Sequence, residues 1–95
     1  MSKTWERTKD PDEVADYDLS WVDQMTADAD TISTSTWTVP VGITKVTSSI
    51  IASNTKTKIW FSGGTAGETY SCLNRVVTAG GRTWDQTVKL KMKDH

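Results

Sequence analysis

Hydrophobic and polar residues alternate along most of this chain, and the alternation predicts strands. Between Val14 and Val22, Ala15, Tyr17, Leu19 and Trp21 share one parity, while Asp16, Asp18 and Ser20 take the other. A period of two marks a half-buried strand. Residues 31–39 are strongly β-forming, and their apolar positions change parity between Ile32 and Trp37. That change predicts a bulge or a change of sheet. Pro40 and Gly42 end this strand, and Ile43 to Ala52 forms the next, with Val46 and Ile50 on one face. Ser53-Asn54 is turn chemistry. Thr57 to Ser62 holds Ile59, Trp60 and Phe61 in succession, so it is apolar on both faces and one of the three must face outward or into an interface. In Glu68 to Thr78, Tyr70, Cys72, Asn74 and Val76 share a parity. Ala79-Gly80-Gly81-Arg82 reads as a hairpin turn, because glycine accepts the positive φ such turns require. The last strand, Trp84 to Lys93, turns Val88, Leu90 and Met92 inward and Thr87, Lys89, Lys91 and Lys93 outward.

No helical period appears, and the polar stretch Asp23 to Asp30, with three aspartates, is expected to be a loop. Residues 1–13 mix charges around Trp5 and end in the turn Asp10-Pro11-Asp12-Glu13. We assign 1–13 as an N-terminal arm or edge strand and 14–95 as one β domain. Six or seven short strands with turns every few residues describe a sandwich or small barrel. Tyr70 precedes Cys72 by two residues, after a glycine turn and before a final hairpin. That is the tyrosine-corner position of immunoglobulin domains, where the phenol bonds upstream backbone. An ordinary cross-strand tyrosine is the alternative. The fold expected is all-β: an immunoglobulin-like β-sandwich of about seven antiparallel strands. Cys72 is the only cysteine, so no disulfide joins the sheets.

Composition agrees. Of 95 residues, 16 are threonine and nine serine. Threonine favours strands and weakens helices. A chain of this length makes one domain, with burial just sufficient for an independent fold. No apolar run approaches the length of a membrane span, and the N-terminus has no apolar signal core. The protein is expected to be soluble and intracellular where it is made, and the lone Cys72 fits a reducing compartment.

The candidate chemistry is thin. The single histidine is His95, the last residue, a poor position for a base that a third group must hold. The pairs Asp10/Asp12, Asp16/Asp18 and Asp28/Asp30 lack the glycine and terminal glutamate of a calcium loop, and they read as solvated faces and turns. Gly63-Gly64-Thr65-Ala66-Gly67 lacks the lysine and following helix of a phosphate cradle, so it reads as a turn. Paired carboxylates for glycoside hydrolysis would need a cleft, and none is evident. We expect no catalytic residue, no metal and no cofactor.

Net charge is −1, yet residues 1–32 carry −6 and residues 33–95 carry +5. Two readings remain: complementary strands within the domain, or an acidic surface that meets a basic one on a neighbour. A nucleic-acid binder would show a basic excess, and this chain has none. Five tryptophans are many for this length. Trp21 and Trp37 lie in patterned strands and are expected in the core. Trp5, Trp60 and Trp84 are the candidate partner contacts, since exposed aromatics anchor interfaces and also suit sugar stacking. For Trp5, packing on its own domain is the alternative.

Several blocks carry a resemblance. Lys9-Asp10-Pro11-Asp12-Glu13-Val14 leads into Asp16-Tyr17 and Ser20-Trp21. Asp30-Thr31-Ile32-Ser33-Thr34-Ser35-Thr36-Trp37-Thr38-Val39-Pro40 forms the middle. Trp60-Phe61-Ser62-Gly63-Gly64-Thr65-Ala66-Gly67, Thr69-Tyr70, Asn74-Arg75 and Thr78-Ala79-Gly80-Gly81-Arg82 follow. Together, from Lys9 to about Leu90, these resemble small structural proteins of tailed bacteriophages, the fibre–tail adaptors or head–tail region components. The resemblance implies an immunoglobulin-like domain in the virion, with other virion proteins and copies of itself in a symmetric ring or array as partners. It implies no enzyme and no cofactor, and from the charge, hydropathy and missing chemistry no nucleic acid, membrane or small-molecule substrate is expected as a partner. Capsid decoration and a carbohydrate- or host-surface-binding module using Trp60 or Trp84 are the alternatives. The resemblance also implies an idea for residues 1–13: ordering on assembly with Trp5 as anchor.

Overall fold

The computed structural model describes residues 2–93. His95, with Met1 and Asp94, lies outside the described residues, so the expectation for the terminal histidine does too. Among the described residues the order is β1 (Ser2–Thr4), β2 (Ala15–Ser20), α1 (Val22–Ala27), β3 (Ile32–Thr38), β4 (Ile43–Ile51), β5 (Lys56–Gly63), β6 (Thr69–Thr78) and β7 (Thr83–Lys91). They form two sheets, β1-β7-β6-β3 and β2-β5-β4. The fold is all-β, and Cys72 is buried and free.

The alternation read in the sequence decides which side chains meet between the sheets. Tyr17 and Leu19 of β2 and Ile59 and Phe61 of β5 are buried against Trp37 of β3, Tyr70, Cys72 and Val76 of β6, and Val88 and Leu90 of β7. Trp21, between β2 and α1, and Trp37 of β3 are 2% and 5% exposed, in the core as expected. The parity change in β3 is a register shift between Ile32 and Thr34 that leaves Ser33 as the extra residue. Trp60 is the member of the Ile59-Trp60-Phe61 triplet that faces outward.

One polar side chain lies in the middle of this apolar interior. Asn74 of β6 has no exposed surface. Its Oδ1 accepts from Trp21 Nε1 at 3.0 Å and from the Thr57 hydroxyl at 2.8 Å. Its Nδ2 donates to Ser35 Oγ at 2.9 Å and to the Thr36 carbonyl at 3.2 Å. All four hydrogen-bonding positions of the amide are filled. The bonds run from β6 to β3 in its own sheet and to β5 in the other.

Three expectations are corrected. Val22, expected at the end of a strand, and residues 23–27, expected within a loop, form α1. At six residues it is too short to show a helical period. Its hold is tertiary: Trp21 and Met25, four apart and both buried, face the core, and Met25 N–H bonds the Trp21 carbonyl at 2.9 Å. Second, the sandwich is not wholly antiparallel, because β1 runs parallel to β7. An antiparallel neighbour is normally delivered by a hairpin. After β1 the chain instead crosses to β2 in the other sheet, so nothing reverses it. Third, Val46 and Ile50, expected on one face, do not share one. The register of β4 shifts between Lys45 and Thr47, leaving Val46 as the bulged residue, 53% exposed, while Ile50 packs on the core.

Side-chain hydrogen bonds fasten both ends of the sandwich. At one end Asp30 Oδ1 accepts from the backbone N–H of Thr31 and Gly80, each at 2.9 Å, and Oδ2 meets Arg82 at 3.2 Å. This ties the chain after α1 to the β6–β7 hairpin. At the other end the Tyr70 hydroxyl accepts from Thr65 N–H, five residues upstream, at 3.0 Å. The Tyr70 ring lies over Gly42, whose φ is +107°. A side chain at Gly42 would be strained in that backbone and would stand 3.1 Å from the ring.

Two outcomes follow from these fastenings. Asn74→Ala is expected to cost about 3 kcal/mol or more, since it orphans the buried Trp21 and Thr57 donors. Asn74→Leu should not recover that loss in denaturant titrations; recovery would reduce Asn74 to a space-filler. Asp30 titrates below the ordinary aspartate value of about 3.9, held there first by the Thr78 hydroxyl and then by the Thr31 and Gly80 amides and Arg82. Its contribution to stability is therefore complete above the unfolded value and lost as pH falls through the folded one. Melting temperatures measured from pH 6 to about pH 2 should fall less steeply for Asp30→Asn than for the wild type.

Candidate partner-binding surface

The outward face of β2-β5-β4 is built by the same alternation that builds the core. On β5, Lys56, Lys58 and Trp60 face outward between Thr57, Ile59 and Phe61. The register sets Trp60 opposite Asp16 of β2 and Thr47 of β4. Trp60 is thus in the middle strand of this face, 36% exposed, with bulged Val46 beside its partner Thr47. Lys58 Nζ is 3.3 Å from Asp16 and 3.9 Å from Asp18. These exposed ion pairs contribute at most about 1 kcal/mol and chiefly fix the polar surround of the ring. An aromatic set among charged and hydroxyl side chains is the usual layout of an interface anchor with a polar rim.

Trp84, 37% exposed, is at the start of β7, opposite Val76 on the core-facing parity. It protrudes where the strand reaches the hairpin end. Next to it Asp85 takes both arms of Arg75, at 2.8 and 2.9 Å, on the outward face.

Trp5 has a different setting. It is half-buried, and its ring centroid lies 4.9 Å from that of Tyr17, 5.8 Å from Phe61 and 5.9 Å from Trp37. Its backbone N–H donates to the Lys89 carbonyl at 3.0 Å, and its indole N–H donates to the Asp18 carbonyl at 2.8 Å. One residue therefore joins β7 of the first sheet to the free edge of β2 in the second. Arg7 lies over the Tyr17 ring, 4.4 Å from its centroid, and donates to the Asp16 carbonyl.

Lys9 is a residue the sequence reading missed. It is fully buried, and its Nζ donates to the carbonyls of Asp10 at 2.9 Å and Gly63 at 2.7 Å. Burial lowers its pKa, opposed in part by Glu13, Asp10 and Asp12. Its backbone bridges Lys91 and Lys93. Nothing in the alternation marks it, because a lysine beside an acidic turn reads as solvated.

The remaining candidates are engaged in structure. Asp12 N–H bonds Asp10 Oδ1 at 2.8 Å, which makes the expected turn. Arg82 is 3.4 Å from Asp28 and 3.2 Å from Asp30. The acidic first third thus meets the basic remainder inside the chain, at Lys58 and at Arg82. Burial pushes the Cys72 thiol up to about 12, which makes it unreactive. An open groove of about 270 Å³ is lined by Trp5, Glu6, Arg7, Asp16, Tyr17 and Asp18. Among the described residues no group of three or more His, Cys, Asp or Glu side chains is placed to hold a metal. No helix among them is long and apolar enough to cross a membrane.

Residues 9–91 match the family model described as podophage GP4 fiber-tail adaptor protein gp77. The chain belongs to this adaptor family. It is a structural component of a phage virion, and an adaptor of fibre and tail contacts other virion proteins. No curated protein matches the chain. The matched span starts at buried Lys9 and ends at Lys91, the last residue of β7. It leaves out β1 and Trp5, although β1 pairs with β7 and Trp5 packs against the core.

The two settings predict different costs of truncation. Trp5→Ala should lower stability by about 2 kcal/mol, below a fully buried tryptophan because the ring is half-exposed. Trp60→Ala should change it by no more than about 0.5 kcal/mol. Chemical unfolding of the two variants checks this, and equal losses would contradict the assignment of Trp60 to the outer surface.

Proposed function

We propose that this adaptor acts without catalysis, joining tail or neck and fibre components through protein–protein contacts. In this reading it is an immunoglobulin-like sandwich, with β2-β5-β4 in the place of strands B, E and D and β7-β6-β3 in the place of G, F and C. The strand order supports this. So does Tyr70, whose phenol bonds upstream backbone as a tyrosine corner does. Residues 1–13 are the edge segment of that domain, and residues 14–95 its body. Partners are other virion proteins and copies of the chain in a symmetric ring or array. Nucleic acid, membrane and small-molecule substrates have no part in it.

The observation that carries the reading is Trp60. A large aromatic stands exposed on a sheet face whose opposite side is fully packed. Its cross-strand neighbours are polar, so the ring gains little from its own fold and is free to anchor a neighbour. Trp84 offers a second anchor at the hairpin end, and Trp5 adds only the part of its ring that its own core leaves open.

Electron cryo-microscopy of intact particles tests this. The chain should appear in repeated copies between tail or neck and fibre, with Trp60 covered by a neighbouring chain. Particles assembled with Trp60→Ala should lose most of the bound adaptor while the purified variant stays folded. Copies spread over the capsid would support decoration instead, and absence from particles would defeat the adaptor role.

A further inference from the structure

Two sheets have four edge strands, and here three of the four are protected. Unpaired edges invite pairing with other chains, so folded proteins shorten, charge, bulge or cover them. β1 is only three residues long. The edge of β2 is capped by Trp5 and Arg7, which donate to the Asp18 and Asp16 carbonyls. β4 carries Lys45 and the bulge at Val46. β3 differs. Its first amide, that of Ile32, is taken by the Asn54 carbonyl at 2.8 Å, and a bulge follows at Ser33. Beyond that, among the described residues no strand lies on the side away from β6. Thr34, Thr36 and Thr38 are exposed, and no charged side chain occurs from Thr31 through Thr44.

We propose that this bare edge is a self-association site, where β3 pairs antiparallel with β3 of a second copy across a two-fold axis. The occupant follows from charge. A two-fold contact sets each edge against itself. That would bring Asp16 and Asp18 of β2, Lys45 of β4 or Lys3 of β1 near their own copies, like charge against like. β3 has no charge to oppose. Centred on Ser35, the pairing sets Thr34 opposite Thr36, two β-branched hydroxyl side chains on the same outward face. The result is one eight-stranded sheet, β1-β7-β6-β3 continued by its symmetry mate. Ser35 holds Asn74 from the inward face, so the contact strand is anchored to the centre of each core.

This inference deepens the proposed function, and rests on its expectation that copies contact one another. The test uses the purified chain. Sedimentation equilibrium should show a monomer–dimer transition at concentrations up to roughly 1 mM, the scale of a weak contact. Amide hydrogen exchange in the unaltered chain should slow by about tenfold or more in residues 33–38 as the dimer forms. The double variant Thr34→Lys, Thr36→Lys should be monomeric with native circular dichroism, and so should Thr34→Glu, Thr36→Glu. Mixed in equal amounts, the two should form a heterodimer visible by native mass spectrometry. A wild type that stays monomeric, a dimer that survives in the lysine variant, or exchange in 33–38 that ignores concentration would each overturn the proposal. Position in the particle is read separately. A chain that is monomeric in solution yet present at the tail rejects β3 pairing and leaves the adaptor role standing, and a dimer absent from particles does the reverse.

Discussion

Asn74 is buried between the two sheets, accepting hydrogen bonds from Thr57 and Trp21 and donating to Ser35 and Thr36 of β3. The apolar contacts around it supply most of the cohesion, but they are non-directional, and sheets held by them alone could slide. A buried amide cannot slide without leaving donors and acceptors unpaired, and in a low-dielectric interior that is costly. The amide therefore sets how the sheets face each other. It also places the start of α1 through the Trp21 indole. From that register follow which strands form edges and which residues of β5 turn outward, Trp60 among them.

The N-terminal segment completes the enclosure. Trp5 bonds one sheet through its backbone and the other through its indole, and Lys9 inserts beneath the β5 terminus. Trp5 covers the edge where β2 would otherwise expose backbone, and Lys9 fills the end where β5 stops at Gly63. With the interior and most edges engaged in this way, the surfaces left for other chains are few. Among the described residues, Trp60, Trp84 and the outer side of β3 remain exposed. A structural adaptor needs exposed surfaces of that kind, and the chain belongs to a family of phage fibre–tail adaptors.

Much of the fold was legible in the sequence, because strand alternation is local. The burial of Tyr17, Leu19, Val88 and Leu90, the bulge near Ser33 and the glycine hairpin all followed from spacing. What was not legible depends on contacts far apart in the chain. α1 is too short to show a period and forms because Trp21 and Met25 find the core. The parallel pairing of β1 is decided by a crossover that no local pattern records. Val46 looked as if it shared a face with Ile50 because the bulge that displaces it leaves no compositional mark. Asn74 was seen only as a member of an inward row, since its four partners come from three segments far apart in the chain. Of the candidate surface, sequence marked Trp60 as an aromatic out of place. It did not show the Lys58 ion pairs around it, nor that Trp5 belongs largely to its own core.

The central claim is that the chain divides its tryptophans between holding itself together and holding a neighbour. Hydroxyl-radical footprinting of all five, in the free protein and in intact particles, tests that division most directly. The account predicts that Trp21 and Trp37 resist oxidation in both states, while Trp60 is oxidised in the free protein and protected in the particle. Equal oxidation of Trp60 in both states would contradict it.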